Sequence, residues 1–385
     1  MLGGNILATR VSSSRTLASP EKLRPLRALS VGKFLRKSGA SHADDNASAR
    51  VTALAARAGA TFLRAAVEPA MAAAGRVAEH VRRPSAVRIE RDIFYHRDQS
   101  RSHRLDLYWP PSAERPLPVV FYIHGGGFQT MSKSSHWYMA LPFATRGFLV
   151  VSINYRMLPG YAFPAALFDC AVAFEWMVGH AAVLGLDVDR VVLAGDSAGA
   201  NLAASLALLC CFRRPEPWAR RVFDLGVVAR ALISCYGLLQ VSDPGRFRRD
   251  SSDFSRLVDL ELHDLARSYL DVDPRLPASS LELADPLLVF ESDAIPDRPL
   301  PACLAAVGTG DPLRSDTDRL EAAWLKRGAS CVAHRYTGQP HAFSAALWSE
   351  AVTRFWADTQ SFLDSHVGRA GRNPEERRSL ALRGR

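Results

Sequence analysis

A serine set between two glycines, Gly195-Asp196-Ser197-Ala198-Gly199, follows the apolar run Val191-Val192-Leu193-Ala194 and opens the small-residue segment Ala200 to Leu206. A strand that breaks at such a serine and re-enters as a helix is the pattern of a nucleophile elbow. A hydroxyl is a weak nucleophile, so it must stand exposed on a tight turn where a base can take its proton. Gly195 and Gly199 supply the missing Cβ atoms that let strand and helix close around Ser197. Upstream, Pro118 to Ile123 reads as a buried strand running into His124-Gly125-Gly126-Gly127-Phe128. Attack on an ester carbonyl puts negative charge on its oxygen, and N–H groups already aimed there stabilise it. Gly125 and Gly126 are the candidate donors from this loop, with the amide after the nucleophile, Ala198, as the third.

The acid and the base are expected downstream, in the order serine, acid, histidine. Pro301 to Gly308 reads as a short strand followed by the loop Thr309-Gly310-Asp311-Pro312-Leu313, and Ser330 to Tyr336 as a strand followed by Thr337-Gly338-Gln339-Pro340-His341. Asp311 and His341 therefore sit just past strand ends, where an open α/β sheet forms its ligand crevice. His341 would shuttle the proton and Asp311 would hold its tautomer. Among the rivals, Asp316 reads as the N-cap of a helix from Thr317, and His334 lies within a strand. His124 reads as a brace for the glycine loop, and His136, His180 and His263 as surface or packing residues of helices.

Those groups need a scaffold, and the hydrophobic pattern supplies one. Strands are expected near 88–95, 103–109, 118–124, 148–153, 191–195, 230–236, 301–308 and 330–336. Helices are expected near 136–146, 164–180, 198–212, 259–270, 316–327 and 346–365. The alternation gives an α/β fold, a mostly parallel eight-stranded sheet with helices on both faces. The stretch from 238 to 292 is too long to be an idle connection and reads as a helical cap centred on 259–270.

With these pieces in place the chain resembles the hormone-sensitive-lipase-like branch of the α/β-hydrolases, which contains many microbial carboxylesterases. The resemblance rests on the two glycine motifs, Asn154-Tyr155-Arg156, Phe163-Pro164-Ala165-Ala166-Leu167, Gly310-Asp311-Pro312-Leu313 and Pro340-His341-Ala342-Phe343, in order across about 89–366. It implies the α/β-hydrolase fold with its first two strands antiparallel, a cap that draws on the segment before the first strand, and hydrolysis of short- to medium-chain acyl or aryl esters with no metal or cofactor. It also implies a small-molecule ester as partner and a homodimer as a candidate assembly. The chain departs from the family at Met157-Leu158-Pro159-Gly160, where Leu-Ala-Pro-Glu is usual, and at Gln129-Thr130-Met131-Ser132, which alters the mouth of the site. Amidase or formamidase chemistry on the same triad, and a non-catalytic ligand receptor on the same fold, are the alternatives; the receptor reading conflicts with an intact Ser197, Asp311 and His341.

Composition bounds the remaining classes. The 385 residues are 48% hydrophobic and 23% charged, as in ordinary globular proteins. The six cysteines show no C-x-x-C spacing, which favours buried reduced thiols, a cytoplasmic setting and no metal site. The net charge of +9 is concentrated at the ends: residues 1–50 carry nine Lys/Arg against three acids, and 367–385 carry six arginines against two glutamates. No basic stripe on a recognisable module points to nucleic acid. The expected organisation is a disordered basic leader (1–50), a helical extension that could join the cap (51–88), the hydrolase domain (89–366) and a basic tail (367–385). The basic ends offer weak association with anionic membrane surfaces.

Overall fold

Strands that are apolar at consecutive positions must bury both faces. Leu117–Ile123 (β3), Leu149–Ile153 (β4) and Ala231–Cys235 (β6) are buried at every residue. In the computed structural model, which describes residues 68–74, 87–111, 115–250 and 254–368, they occupy the middle of one eight-stranded sheet. The other strands are Arg88–Phe94 (β1), Arg104–Trp109 (β2), Leu186–Asp196 (β5), Ala302–Gly308 (β7) and Cys331–Tyr336 (β8). The order is β1-β2-β4-β3-β5-β6-β7-β8. β2 runs antiparallel to both its neighbours, and every other pairing is parallel.

Pleating sends alternate side chains to opposite faces. Val119, Phe121 and Ile123 of β3 join one buried cluster, with Phe174 of helix α2 (Ala165–Gly179), Leu206 of α3 (Ala198–Cys211) and Trp324 of α5 (Arg314–Lys326). Val120 and Tyr122 join a second, with Phe143 of α1 (Trp137–Thr145) and Phe355 and Phe362 of α6 (Glu350–His366). The sheet is thus covered on both faces. Chain order runs outward from β3 to β4, then returns to β5 and proceeds the other way. The reversal lies between β3 and β5, the place where open α/β sheets leave a crevice at their carboxyl ends.

Each expected strand is present. β5 starts at Leu186 rather than Val191 because Leu186 pairs back to Leu117 across a register irregularity; the polar Asp187 and Asp189 hide that extension from an apolar-run reading. The last helix starts at Glu350, not 346, where the Ser349 side chain accepts from the Ala351 amide and caps it. The helix Arg256–Tyr269 (α4) stands where the centre of the cap was expected. The ends of the 238–292 stretch are tied to the body: Asn201 Nδ2 donates to the carbonyls of Leu238 and Ala284, and Ser205 Oγ to that of Leu283. The leader, most of the extension and all but the first two residues of the basic tail lie outside the described residues, though 68–74 is helical. The cysteines are free thiols, five buried and Cys331 half-buried. Among the described residues no helix is long and apolar enough to cross a membrane.

Asp316 corrects a sequence expectation. It lies in the first turn of α5, whose N-cap is Leu313, and it makes no capping bond. Its fully buried carboxylate instead accepts from the Leu239 and Gln240 amides and from Arg246, whose Nε stands 2.9 Å from Oδ1. Burial raises its pKa against the opposing pull of Arg246. This ion pair pins the start of the insertion beside the loop that carries Asp311. Arg246→Met should cost about 2–4 kcal/mol, because buried Asp316 loses its hydrogen-bonded cation and keeps only the two amides and the more distant Arg319, at 3.7 Å. Urea unfolding measures the loss; a cost under about 1 kcal/mol would show that the pair carries little.

Candidate active site

Ser197 occupies the turn between β5 and α3 with φ 51° and ψ −117°, a conformation that L-residues adopt only when their surroundings enforce it. The enforcement is backbone packing. A Cβ on Gly195 would come within 2.3 Å of the Gly199 carbonyl oxygen, and one on Gly199 within 2.2 Å of the Ile123 carbonyl oxygen. The turn is then pinned by the Ser197 amide, which donates to Cys235 O at 2.8 Å.

The structure brings the three expected side chains together. His341 Nε2 lies 3.0 Å from Ser197 Oγ, and His341 Nδ1 lies 2.9 Å from Asp311 Oδ2. Asp311 is buried, and its other oxygen accepts from the Leu313 amide at 2.8 Å. The loops bearing acid and base are stitched together: Gly310 N donates to Gln339 O at 3.1 Å, and Gly338 N to Thr309 Oγ1 at 2.8 Å. The Ser197 proton thus has an acceptor within hydrogen-bond reach, and that acceptor has a carboxylate behind it.

The oxyanion assignment needs one correction. Gly125 is buried, and its amide donates to Asp196 Oδ1 at 2.9 Å, so it is not available to a substrate. Gly126 and Gly127 line the cavity, with φ of +110° and +60°. Among the described residues no acceptor takes their amides or that of Ala198. The uncommitted donors are therefore Gly126, Gly127 and Ala198.

Sequence reading missed what holds that loop. Asp196 Oδ1 also accepts from Tyr122 OH at 2.6 Å, and Oδ2 stands 3.3 Å from His136 Nε2. Burial alone would raise the Asp196 carboxyl; His136 and the Tyr122 bond outweigh it and hold the pKa below the ordinary value. His136, expected as a surface or packing residue, is buried one position before α1 and lines the cavity. A buried acid next to a nucleophile must find a partner, which was the available signal. His124 braces the loop as expected, with Nδ1 2.7 Å from Gly125 O. Burial and repulsion from His136 depress its pKa to about 3, so it is neutral, with Nδ1 as the donor.

A cavity of about 710 Å³ opens over Ser197 and His341. Leu257, Val258, Leu262 and Leu265 of α4 line it, as does Met71 of the 68–74 helix, whose carbonyl accepts from Trp137 Nε1 at 3.2 Å. Among the described residues no lysine or arginine is on its wall. Among the described residues, only His96, Asp98 and His103 are grouped closely enough to suggest a metal site, and none of them lines the cavity. His103 is instead engaged by carboxylates on both ring nitrogens, Asp98 at 2.7 Å and Asp169 at 3.2 Å.

Comparison with known proteins agrees with this architecture. A family model described as the alpha/beta hydrolase fold matches residues 120–345. Esterase LipI of Mycobacterium tuberculosis is 30% identical over 262 residues, covering 64% of this chain and 74% of that protein. Hormone-sensitive lipase of Bos taurus is 35% identical over 182 residues, 47% of this chain and 22% of that one. Curated relatives at 41% identity match a stretch that spans only 30–33% of their own length. Among solved structures, an esterase of Pyrobaculum calidifontis superposes with a TM-score of 0.62 at 26% identity, covering 78% of this chain and 92% of that one.

The glycine contacts give a direct test of the elbow. Gly199→Ala forces its Cβ against backbone that belongs to β3 and cannot rotate away. The expected cost is about 1–3 kcal/mol, the range of an overpacked core, read by urea unfolding. An alanine variant as stable as the parent would remove the steric account of the turn.

Proposed function

This chain belongs to the α/β-hydrolase family, in its hormone-sensitive-lipase-like carboxylesterase branch, and on that premise we propose that it hydrolyses carboxylic esters through an acyl-enzyme. The observation that carries the reading is the unbroken contact series Ser197 Oγ, His341 Nε2, His341 Nδ1, Asp311 Oδ2 at 3.0 and 2.9 Å. Ser197 Oγ attacks the carbonyl carbon as its proton passes to His341 Nε2. The carbonyl electron pair moves to oxygen, which the amides of Gly126, Gly127 and Ala198 receive. The tetrahedral adduct collapses, and the departing alkoxide takes the proton from His341. Water then repeats the sequence on the acyl-serine and releases the acid. Asp311 keeps the ring in the required tautomer and stabilises the imidazolium.

The cavity wall favours a small ester with an apolar arm. Four apolar residues of α4 and Met71 line it, which suits short- to medium-chain acyl or aryl groups. On this reading α4 and the 68–74 helix form the lid, drawn from two distant parts of the chain. Similarity to LipI and to hormone-sensitive lipase supports ester chemistry.

Ser197→Ala should lower turnover of a short p-nitrophenyl ester by about 10⁵-fold or more, and an organophosphonate should label Ser197 in the parent protein. Full activity in the alanine variant, or labelling at another residue, would refute the assignment. Asp311→Asn keeps the shape but reverses the hydrogen-bond polarity toward His341 Nδ1. It should cut kcat by about 1,000- to 10,000-fold; steady-state kinetics showing a loss under tenfold would deny Asp311 its role.

A further inference from the structure

Five residues of α4 face the cavity: Leu257, Val258, Glu261, Leu262 and Leu265. Their spacing is that of one helix face. Four are apolar, as a wall against an acyl or aryl group requires, and the fifth is a carboxylate. Among the described residues no hydrogen bond or ion pair engages Glu261, whereas its helix neighbours Asp259 and Asp264 face Arg248 and Arg267. Asp196, the other acid on the cavity wall, is already met by His136, Tyr122 and the Gly125 amide. Among the described residues no lysine or arginine lines the wall, and Glu261 is the one charged residue of the α4 face toward it. Glu261 and His341 line the same cavity, and desolvation there raises the Glu261 carboxyl against the opposing pull of His341. The Glu261 side chain is exposed at the cavity mouth, so its field is screened and its effect is modest.

We propose that Glu261 is a specificity-determining residue that selects the charge of the substrate arm lying under α4, favouring esters that carry a quaternary or primary ammonium group and disfavouring those that carry a second carboxylate. The inference rests on the esterase reading above. A cationic group beneath α4 would gain the partner that Glu261 lacks. A carboxylate there would meet a like charge, and among the described residues no lysine or arginine lines the cavity to offset it.

The experiment compares isosteric pairs in which a trimethylammonium nitrogen replaces a quaternary carbon. Butyrylcholine against 3,3-dimethylbutyl butyrate tests the alcohol arm. The p-nitrophenyl esters of 6-(trimethylammonio)hexanoate and 7,7-dimethyloctanoate test the acyl arm. In at least one pair the parent should prefer the cation by about three- to tenfold in kcat/KM, the size of a partly solvated ion pair. Glu261→Gln should bring that ratio near one, and Glu261→Lys should carry it below one. Loss of folded protein scales both members of a pair alike, so the ratio isolates the charge. Ratios that stay the same across all three forms would overturn the proposal. If the neutral esters are hydrolysed in a Ser197-dependent manner while the ratios stay flat, only the role of Glu261 fails. If the parent hydrolyses none of the four yet turns over a short p-nitrophenyl ester, the proposal fails and the esterase reading stands; if it hydrolyses none of the five, both fail.

Discussion

The site depends on a backbone-against-backbone contact at the C-terminal ends of β3 and β5. Gly199 lies so close to the carbonyls of Ile123 and His124, and Gly195 so close to Gly199, that no side chain fits at either position. That closeness holds Ser197 in its positive-φ turn at the head of α3. It also brings the glycine loop after β3 alongside the serine, so the hydroxyl and the uncommitted amides are placed by the same packing. The strand reversal between β3 and β5 is what makes the two ends neighbours.

Polar groups then complete what packing begins. Asp196 sits between the elbow and the glycine loop, and one of its oxygens takes both the Gly125 amide and the Tyr122 hydroxyl. Its charge is held by His136 rather than by solvent. A second buried carboxylate, Asp316, performs a similar service at the base of the insertion, gathering Leu239, Gln240 and Arg246 onto the start of α5. Both are buried anions whose cost is offset by several directed donors. Each joins segments that the apolar core alone would leave to slide.

The sequence spoke most clearly where chemistry or burial imposes a local pattern. Consecutive apolar runs marked the strands because both faces are covered, and glycines marked the elbow because no other residue fits. Ser197, Asp311 and His341 could be named because each follows a strand. Legibility ended where the deciding contact is distant in the chain. The Gly125 amide is claimed by an acid 71 positions away, so a row of equivalent-looking glycines could not be sorted into structural and available donors. Asp316 meets an arginine 70 positions upstream, while its place near a helix start suggested a cap. The short helices Pro217–Asp224 and Pro286–Glu291 span only eight and six residues and went unread, although the first has Ala219, Val222 and Phe223 on one buried face. They owe their existence to packing.

The outermost strand of the sheet, β8, carries the loop with the imidazole and is only partly covered along its length. Rim strands are where a native fold first loosens. The Asp311 loop, which follows the interior strand β7, is tied to the His341 loop by the Gly310–Gln339 and Gly338–Thr309 hydrogen bonds, while β3 and β5 carry the glycine loop and the hydroxyl. The histidine thus hangs from the least covered strand of the sheet, whereas the serine and the glycine loop hang from strands buried along their final residues.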